Sequence, residues 1–223
     1  MAAKNATSTI PLVATALAEP LFVVESLSHP GRNLTGLSSF QVDIAAKRIE
    51  LLKETFPQAA RIAVLGNMGN PPVQTDSKEA EVAGQLLGVQ VQLFDVRKAE
   101  DIALAFDDAR RQQCDALYVS QEGFAQANKA LIVSLAAKHR LPAIFASREY
   151  VEAGGLMSFG VDYPDLYRRA ASYVDLILKG ANPADLPVQQ PTRFELVVNF
   201  KTAQGLGITV PPSVILRADE VIE

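Results

Sequence analysis

The chain has 223 residues, 48% hydrophobic and 21% charged, a composition that suits a globular protein and excludes a disordered or fibrous one. Its 21 Lys+Arg against 25 Asp+Glu leave a net charge of −4, with no basic surplus to neutralise a phosphate backbone, so nucleic acid is not an expected partner. A single cysteine, Cys114, and two histidines, His29 and His139, exclude an internal disulfide and argue against a cysteine- or histidine-rich metal site; no metal or cofactor is expected.

In chain order, residues 1–10 do not read as a secretory signal. The apolar run Ile10 to Leu17 is broken by Pro11 and is far shorter than the roughly 20 residues of a membrane span. Ile10 to Thr15 reads as a strand, Glu19 to Leu27 as a short helix and Asn33 to Ser38 as a strand. Val42, Ala45, Ile49 and Leu52 form a helix face ended near Pro57. Then βα units repeat. Arg61 to Gly66 (RIAVLG) is the clearest strand, and a helix from about Val73 to Leu87 is closed by Gly88. Val89 to Val96 is a strand, and Ile102, Phe106 and Ala109 mark a helix face. Asp115 to Ser120 is a strand, Ala127, Leu131 and Leu135 a helix face, and Pro142 to Ala146 and Gly155 to Gly160 two more strands. Pro164 to Lys179 is an amphipathic helix with Leu166, Ala170, Val174 and Ile177 on one face. After a proline-rich connector, Phe194 to Val198 is a strand, and the tail around Pro211 and Pro212 reads as extended.

This alternation predicts an α/β fold with a Rossmann-like parallel sheet, flanked by parts too small to stand alone. Two lobes are therefore expected: residues 1–38 with 163–190, and residues 39–162 with 191–223. Ligands of open α/β sheets sit at the carboxyl ends of the strands, which directs attention to Asn67, Asn70, Ser120, Gln121, Glu122, Ser147, Arg148, Glu149 and Asp162. Neutral hydrogen-bonding groups with one arginine suit a small polar or zwitterionic molecule, with Arg148 as carboxylate partner; Arg148 and Glu149 also read as a surface pair, and polar strand ends as solvated loops. Glu19 reads either as a ligand contact from the other lobe or as a cap for the helix after it. Catalytic motifs are absent: there is no G-x-S-x-G elbow and no phosphate loop, and Pro71 and Pro72 remove donors from the glycine-bearing turn at 66–70. Cys114 reads as a packed small hydrophobe, and no catalytic residue is assigned.

Several segments together carry a resemblance. They are Pro30-Gly31-x-Asn33-x-Thr35-Gly36, Ala45 to Glu54, Leu135 to Ile144, R-E-Y-V-E-A-G-G-L-M-S-F-G (148–160), Pro164 to Gly180, and Pro183 to Asn199. In these the chain resembles the ABC-transporter substrate-binding proteins of the type I periplasmic binding protein fold, the group with tryptophan- and tyrosine-binding members. The resemblance implies a two-lobed clamp that captures a small solute, an amino acid or similar, in an inter-lobe cleft, with an ABC permease as partner and the periplasm or cell envelope as location. It implies that Asn67, Ser120, Ser147 and Asp162 face the cleft, and that the protein is no enzyme. Thr7 to Leu12 resembles the family's last strand before the first crossing between lobes, so the N-terminal lobe is expected to be incomplete, and a homodimer through it is a further expectation. A ligand-sensing module and an α/β enzyme acting on a phosphorylated small molecule are the alternatives.

Overall fold

The structure is a computed structural model that describes residues 2–39 and 44–223. In chain order its elements are α1 (Ala2–Ala6), β1 (Leu12–Leu17), β2 (Leu34–Ser38), α2 (Ala45–Thr55), β3 (Arg61–Gly66), α3 (Pro71–Leu86), β4 (Gln90–Asp95), α4 (Ala99–Arg111), β5 (Ala116–Val119), α5 (Gly123–Ala127), α6 (Lys129–His139), β6 (Ala143–Phe145), α7 (Arg148–Glu152), β7 (Met157–Val161), α8 (Tyr163–Leu178), β8 (Phe194–Asn199), α9 (Phe200–Leu206), α10 (Pro212–Ile215) and β9 (Glu220–Ile222). The chain divides into two compact units, one of Met1–Phe40 with Val161–Phe194 and one of Gln41–Gly160 with Glu195–Glu223. No helix among the described residues is long and apolar enough to cross a membrane.

The second unit is built on a seven-stranded sheet of order β4-β3-β5-β6-β7-β8-β9. The pairings β3 with β4, β3 with β5, β5 with β6, β6 with β7 and β8 with β9 are parallel. Side chains alternate across a strand, so a sheet covered on both sides needs apolar residues at every position, which is why RIAVLG and ALYV carry almost none that are polar. Ile62, Val64, Ala116, Tyr118 and Ile144 enter one core with Ile49 and Leu52 of α2 and Ala80 and Ala83 of α3. Ala63, Leu65, Leu117, Val119, Ala143 and Phe145 enter the other with Ile102, Phe106 and Ala109 of α4 and Ile132 and Ala136 of α6.

The first unit holds a two-stranded parallel sheet, β1 with β2, against which α8 packs Leu166 and Ala170. The motif residues of 30–36 hold this unit together. Asn33 donates its side-chain amide to the Ile10 carbonyl at 2.7 Å and the Thr7 carbonyl at 3.2 Å, and Thr35 Oγ1 donates to the Leu186 carbonyl at 2.6 Å.

Several sequence expectations give way. The helix expected at 19–27 is a single 3-10 turn, Pro20–Phe22, too short to propagate. The tail is not extended: Asn199 caps α9 by accepting from the Thr202 N–H at 2.9 Å, and Pro212 occupies the first turn of α10, where a missing N–H costs nothing. On α8 the buried residues are Leu166, Ala170 and Tyr173, whereas Val174 is exposed, because a two-stranded sheet is too narrow to cover the whole apolar face. Asn128 separates α5 from α6, which turns Ala127 and Leu131 outward and buries Ile132 and Val133 instead. Val42 lies outside the described residues.

Candidate functional site

Because β3, β5 and β6 are neighbours in the sheet and run parallel, the residues that follow them lie side by side at one edge of the second unit. Asn67 leaves β3 and donates its backbone N–H to Glu122 Oε1 at 2.7 Å; its own Oδ1 accepts from the Gly69 N–H at 2.9 Å. With the Met68 N–H donating to Asp95 Oδ1 at 2.9 Å, the donors of this glycine-bearing turn are spent within the unit rather than offered to a phosphate.

Ser120, at the end of β5, is buried and donates to Asp76 Oδ2 at 2.7 Å. Behind it lies a network that no sequence motif marks. Tyr118 Oη donates to the Asp76 carboxylate at 2.7 and 2.8 Å and accepts from Arg48 Nη1 at 2.8 Å, while Arg48 Nε donates to the Phe159 carbonyl at 2.7 Å. Arg48 is fully buried, with its guanidinium 5.7 Å from the centre of the Tyr118 ring. Burial pushes the Asp76 carboxyl above its ordinary range, against the pull of Arg48, Tyr118 and Ser120. The signal was present in the spacing: Arg48 lies between Ala45 and Ile49 on the buried face of α2, and Asp76 at i+3 from Val73 on that of α3.

Beyond Ser120, Gln121 and Glu122 turn into the same edge, where Glu122 is buried and its carboxyl is pushed up by burial. Ser147, at the end of β6, is buried and lies 3.5 Å from Gln126 Oε1. Tyr150 stacks on Phe145 with ring centres 4.7 Å apart. Its phenol is pushed up by burial and by the charges of Glu122 and Glu149. Three polar atoms here are buried without a partner: Gln121 Oε1, Glu149 Oε2 and Tyr150 Oη.

Arg148 has a different employment from the one its position suggested. Its Nε donates to Glu152 at 2.9 Å, Nη1 to Glu195 at 3.1 Å and Nη2 to Glu220 at 2.7 Å, so the fork is filled by the unit's own carboxylates and ties α7 to β8 and β9. Arg148→Ala is expected to lower stability by about 1–2 kcal/mol, with Arg148→Lys recovering part of it. Urea titration measures this, and an unchanged midpoint would show the three ion pairs to be inert.

The remaining sequence candidates are in the first unit. Asp162 caps α8, its Oδ1 accepting from the Asp165 N–H at 2.9 Å, and its Oδ2 is 4.0 Å from Arg193. Glu19 is half-buried and makes no capping hydrogen bond. Cys114 is buried and its thiol is pushed up to about 11, which keeps it protonated and inert. A groove of about 470 Å³ beside α3 has a floor of Ala46, Val82, Ala83, Leu86 and Leu87 and is bordered by Glu50, Thr75, Lys78 and Glu79. Its surface is mainly apolar, and none of the unpartnered buried atoms belongs to a residue that lines it.

Known proteins share both sequence and fold with this chain. A tyrosine-binding protein from Clostridioides difficile (strain R20291) is 28% identical over 212 residues, which is 93% of this chain but only 60% of that relative. A crystal structure of a conserved domain protein from Vibrio cholerae O1 biovar El Tor superposes with a TM-score of 0.89 at 30% identity, covering 99% of this chain and 74% of that one. A Streptococcus pneumoniae ABC domain in complex with L-Trp superposes with a TM-score of 0.88 at 30% identity, covering 98% and 76%. These likenesses place the fold among the type I periplasmic binding proteins. With the sequence model of ABC transporter substrate binding proteins matching residues 1–222, nearly every element described above falls within one pattern, and the chain belongs to that family.

Proposed function

We propose that this chain acts in solute capture for an ABC importer, binding a small organic molecule of the amino-acid type at the strand-end edge of β3, β5 and β6. The observation that supports this most is the match to the ABC domain complexed with L-Trp, which extends over 98% of the chain at 30% identity. The edge itself is consistent with it: it carries Asn67, Ser120, Gln121 and Ser147 as hydrogen-bonding groups and has no residue set for bond-breaking chemistry. Asn67, Ser120, Gln121 and Ser147 are the proposed contacts of this unit; Glu19 and Asp162 are kept as candidate polar groups of the first unit, taken by itself. A membrane permease as partner, a location at the cell envelope and self-association through the exposed Tyr167, Leu176 and Leu178 of the first unit belong to the same reading.

The test is a melting screen against the twenty amino acids and their simple derivatives. A ligand at a hundred times its Kd adds about 2.7 kcal/mol, a rise of roughly 5–10 °C for a chain of this length. No shift from any of them at millimolar concentration would overturn the reading.

A further inference from the structure

Helix α3 is apolar on two sides. Its inward face buries Val73, Ala80 and Ala83, and a second stripe, at 75, 79, 82 and 86, repeats every three to four residues along the groove it shares with α2. Leu86 is 83% exposed and Val82 51%. Single exposed leucines are ordinary on a protein surface, but these two stand together on one wall of a concavity that follows α3 from Thr75 to Leu87. Ala46 and Ala83 are small, which leaves depth between the helices for an incoming ridge of side chains. No buried polar atom there lacks a partner, so nothing in the groove is built to orient a small polar ligand.

A ridge that fits is carried by the same helix. Val82 and Leu86 project from the wall, so a second copy related by a two-fold axis can lay its own α3 into this groove and receive this α3 in return. The charges select the register. Lys78 is exposed and makes no ion pair among the described residues, and the next residue on the groove border is Glu79. When two identical helices run antiparallel about an axis between 78 and 79, Lys78 of each copy faces Glu79 of the other, and one dipeptide supplies two ion pairs. An axis through either residue brings like charges together instead. In the favoured register Thr75 faces Val82 one turn out from the axis, and Pro71 faces Leu86 two turns out. The most exposed side chain of the stripe thus meets the exposed proline ring at the start of the helix.

We propose that the α2–α3 groove is a homodimer interface, filled by α3 of a second copy in the antiparallel register that pairs Lys78 with Glu79 across the axis. The proposal is independent of the solute-binding reading, and the surface shares no residue with the exposed Tyr167, Leu176 and Leu178 of the first unit.

Sedimentation equilibrium of the full chain from about 1 µM to 1 mM is expected to show reversible monomer–dimer exchange with a Kd of about 10–100 µM, the range of a small interface. Leu86→Glu is expected to weaken the dimer by more than about tenfold while leaving the melting temperature of the monomer unchanged, because the position is too exposed to matter for folding. Lys78→Glu and Glu79→Lys each set like charges across the axis and are expected to weaken the homodimer about tenfold. Mixed together, the two charge variants form only complementary pairs, so their heterodimer is expected to return to within about threefold of the wild-type affinity. A merely structural effect of either substitution would not be repaired by mixing. Leu178→Glu, on the other surface, is expected to leave this dimer intact.

A chain that stays monomeric over the whole range, whether its groove is empty or taken by another molecule, overturns the proposal. Dimers that survive Leu86→Glu and are lost in Leu178→Glu assign association to the first unit and overturn it as well. Failure of the mixed charge variants to recover affinity removes the register, and the proposal with it. The amino-acid melting screen is read separately in the Leu86→Glu monomer, so solute capture stands or falls on its own result.

Discussion

Asp76→Asn is expected to destabilise the second unit by about 3–5 kcal/mol, because it removes the counter-charge of an arginine that is fully buried. Asparagine keeps the shape and one acceptor for Tyr118 and Ser120, so the loss isolates the charge; in a chain of this length it lowers the melting temperature on the order of 10 °C. Arg48→Met is expected to cost less, since Asp76 can take up a proton where the arginine cannot give one away. The double variant Arg48→Met/Asp76→Leu removes both charges and is expected to be more stable than Asp76→Asn, with a coupling of at least about 1 kcal/mol in the cycle. Simple additivity of the single losses would show that the network is not a unit.

What the sequence revealed and what it hid divide along physical lines. The strands of the second unit were legible because a parallel sheet buried on both faces demands unbroken apolar runs, and RIAVLG and ALYV satisfy that locally. The helices at 200–206 and 212–215 are short and carry little apolar periodicity, so the tail reads as extended; their marks are the punctuation of Asn199, Gly207 and Pro212, the last at a helix start. At the candidate site, strand-end position in the sequence singles out Asn67, Ser120, Gln121 and Ser147 as candidates. What each side chain is committed to was not legible. Arg148 shows one partner at i+4, Glu152, but its other two are 47 and 72 residues away, and only the sheet order brings them in. The unpartnered oxygens of Gln121, Glu149 and Tyr150 are likewise a property of packing, invisible to spacing.

Gly36→Ala is expected to break the first unit, because that position combines two demands that only glycine meets. Its φ is +139°, in the region that L side chains rarely adopt, and a Cβ there would lie 1.9 Å from the Ala14 carbonyl oxygen on the neighbouring strand β1. The three nearest atoms are all backbone of the β1 register partner Ala14, so no side-chain rotation relieves the clash, and either β1 must separate from β2 or the chain at 36 must change. Strain of about 1–3 kcal/mol from the backbone and a similar amount from overpacking give a loss of about 3–5 kcal/mol. The damage should spread to what β2 carries. Gln189 donates its N–H to the Gly36 carbonyl at 3.0 Å, Ser38 donates to the Gln189 carbonyl at 2.8 Å, and Thr35 holds Leu186, so the connector before β8 loses its anchor along with β1. Amide exchange of the full chain is expected to accelerate at 12–17, 34–38 and 186–189 while β3 and β5 keep their protection, because the two cores of the second unit contain none of these residues. Unchanged exchange at 34–38 in Gly36→Ala would mean that the strand accommodates a Cβ, and that the glycine of the Pro30-to-Gly36 motif serves something other than the pairing of β1 with β2.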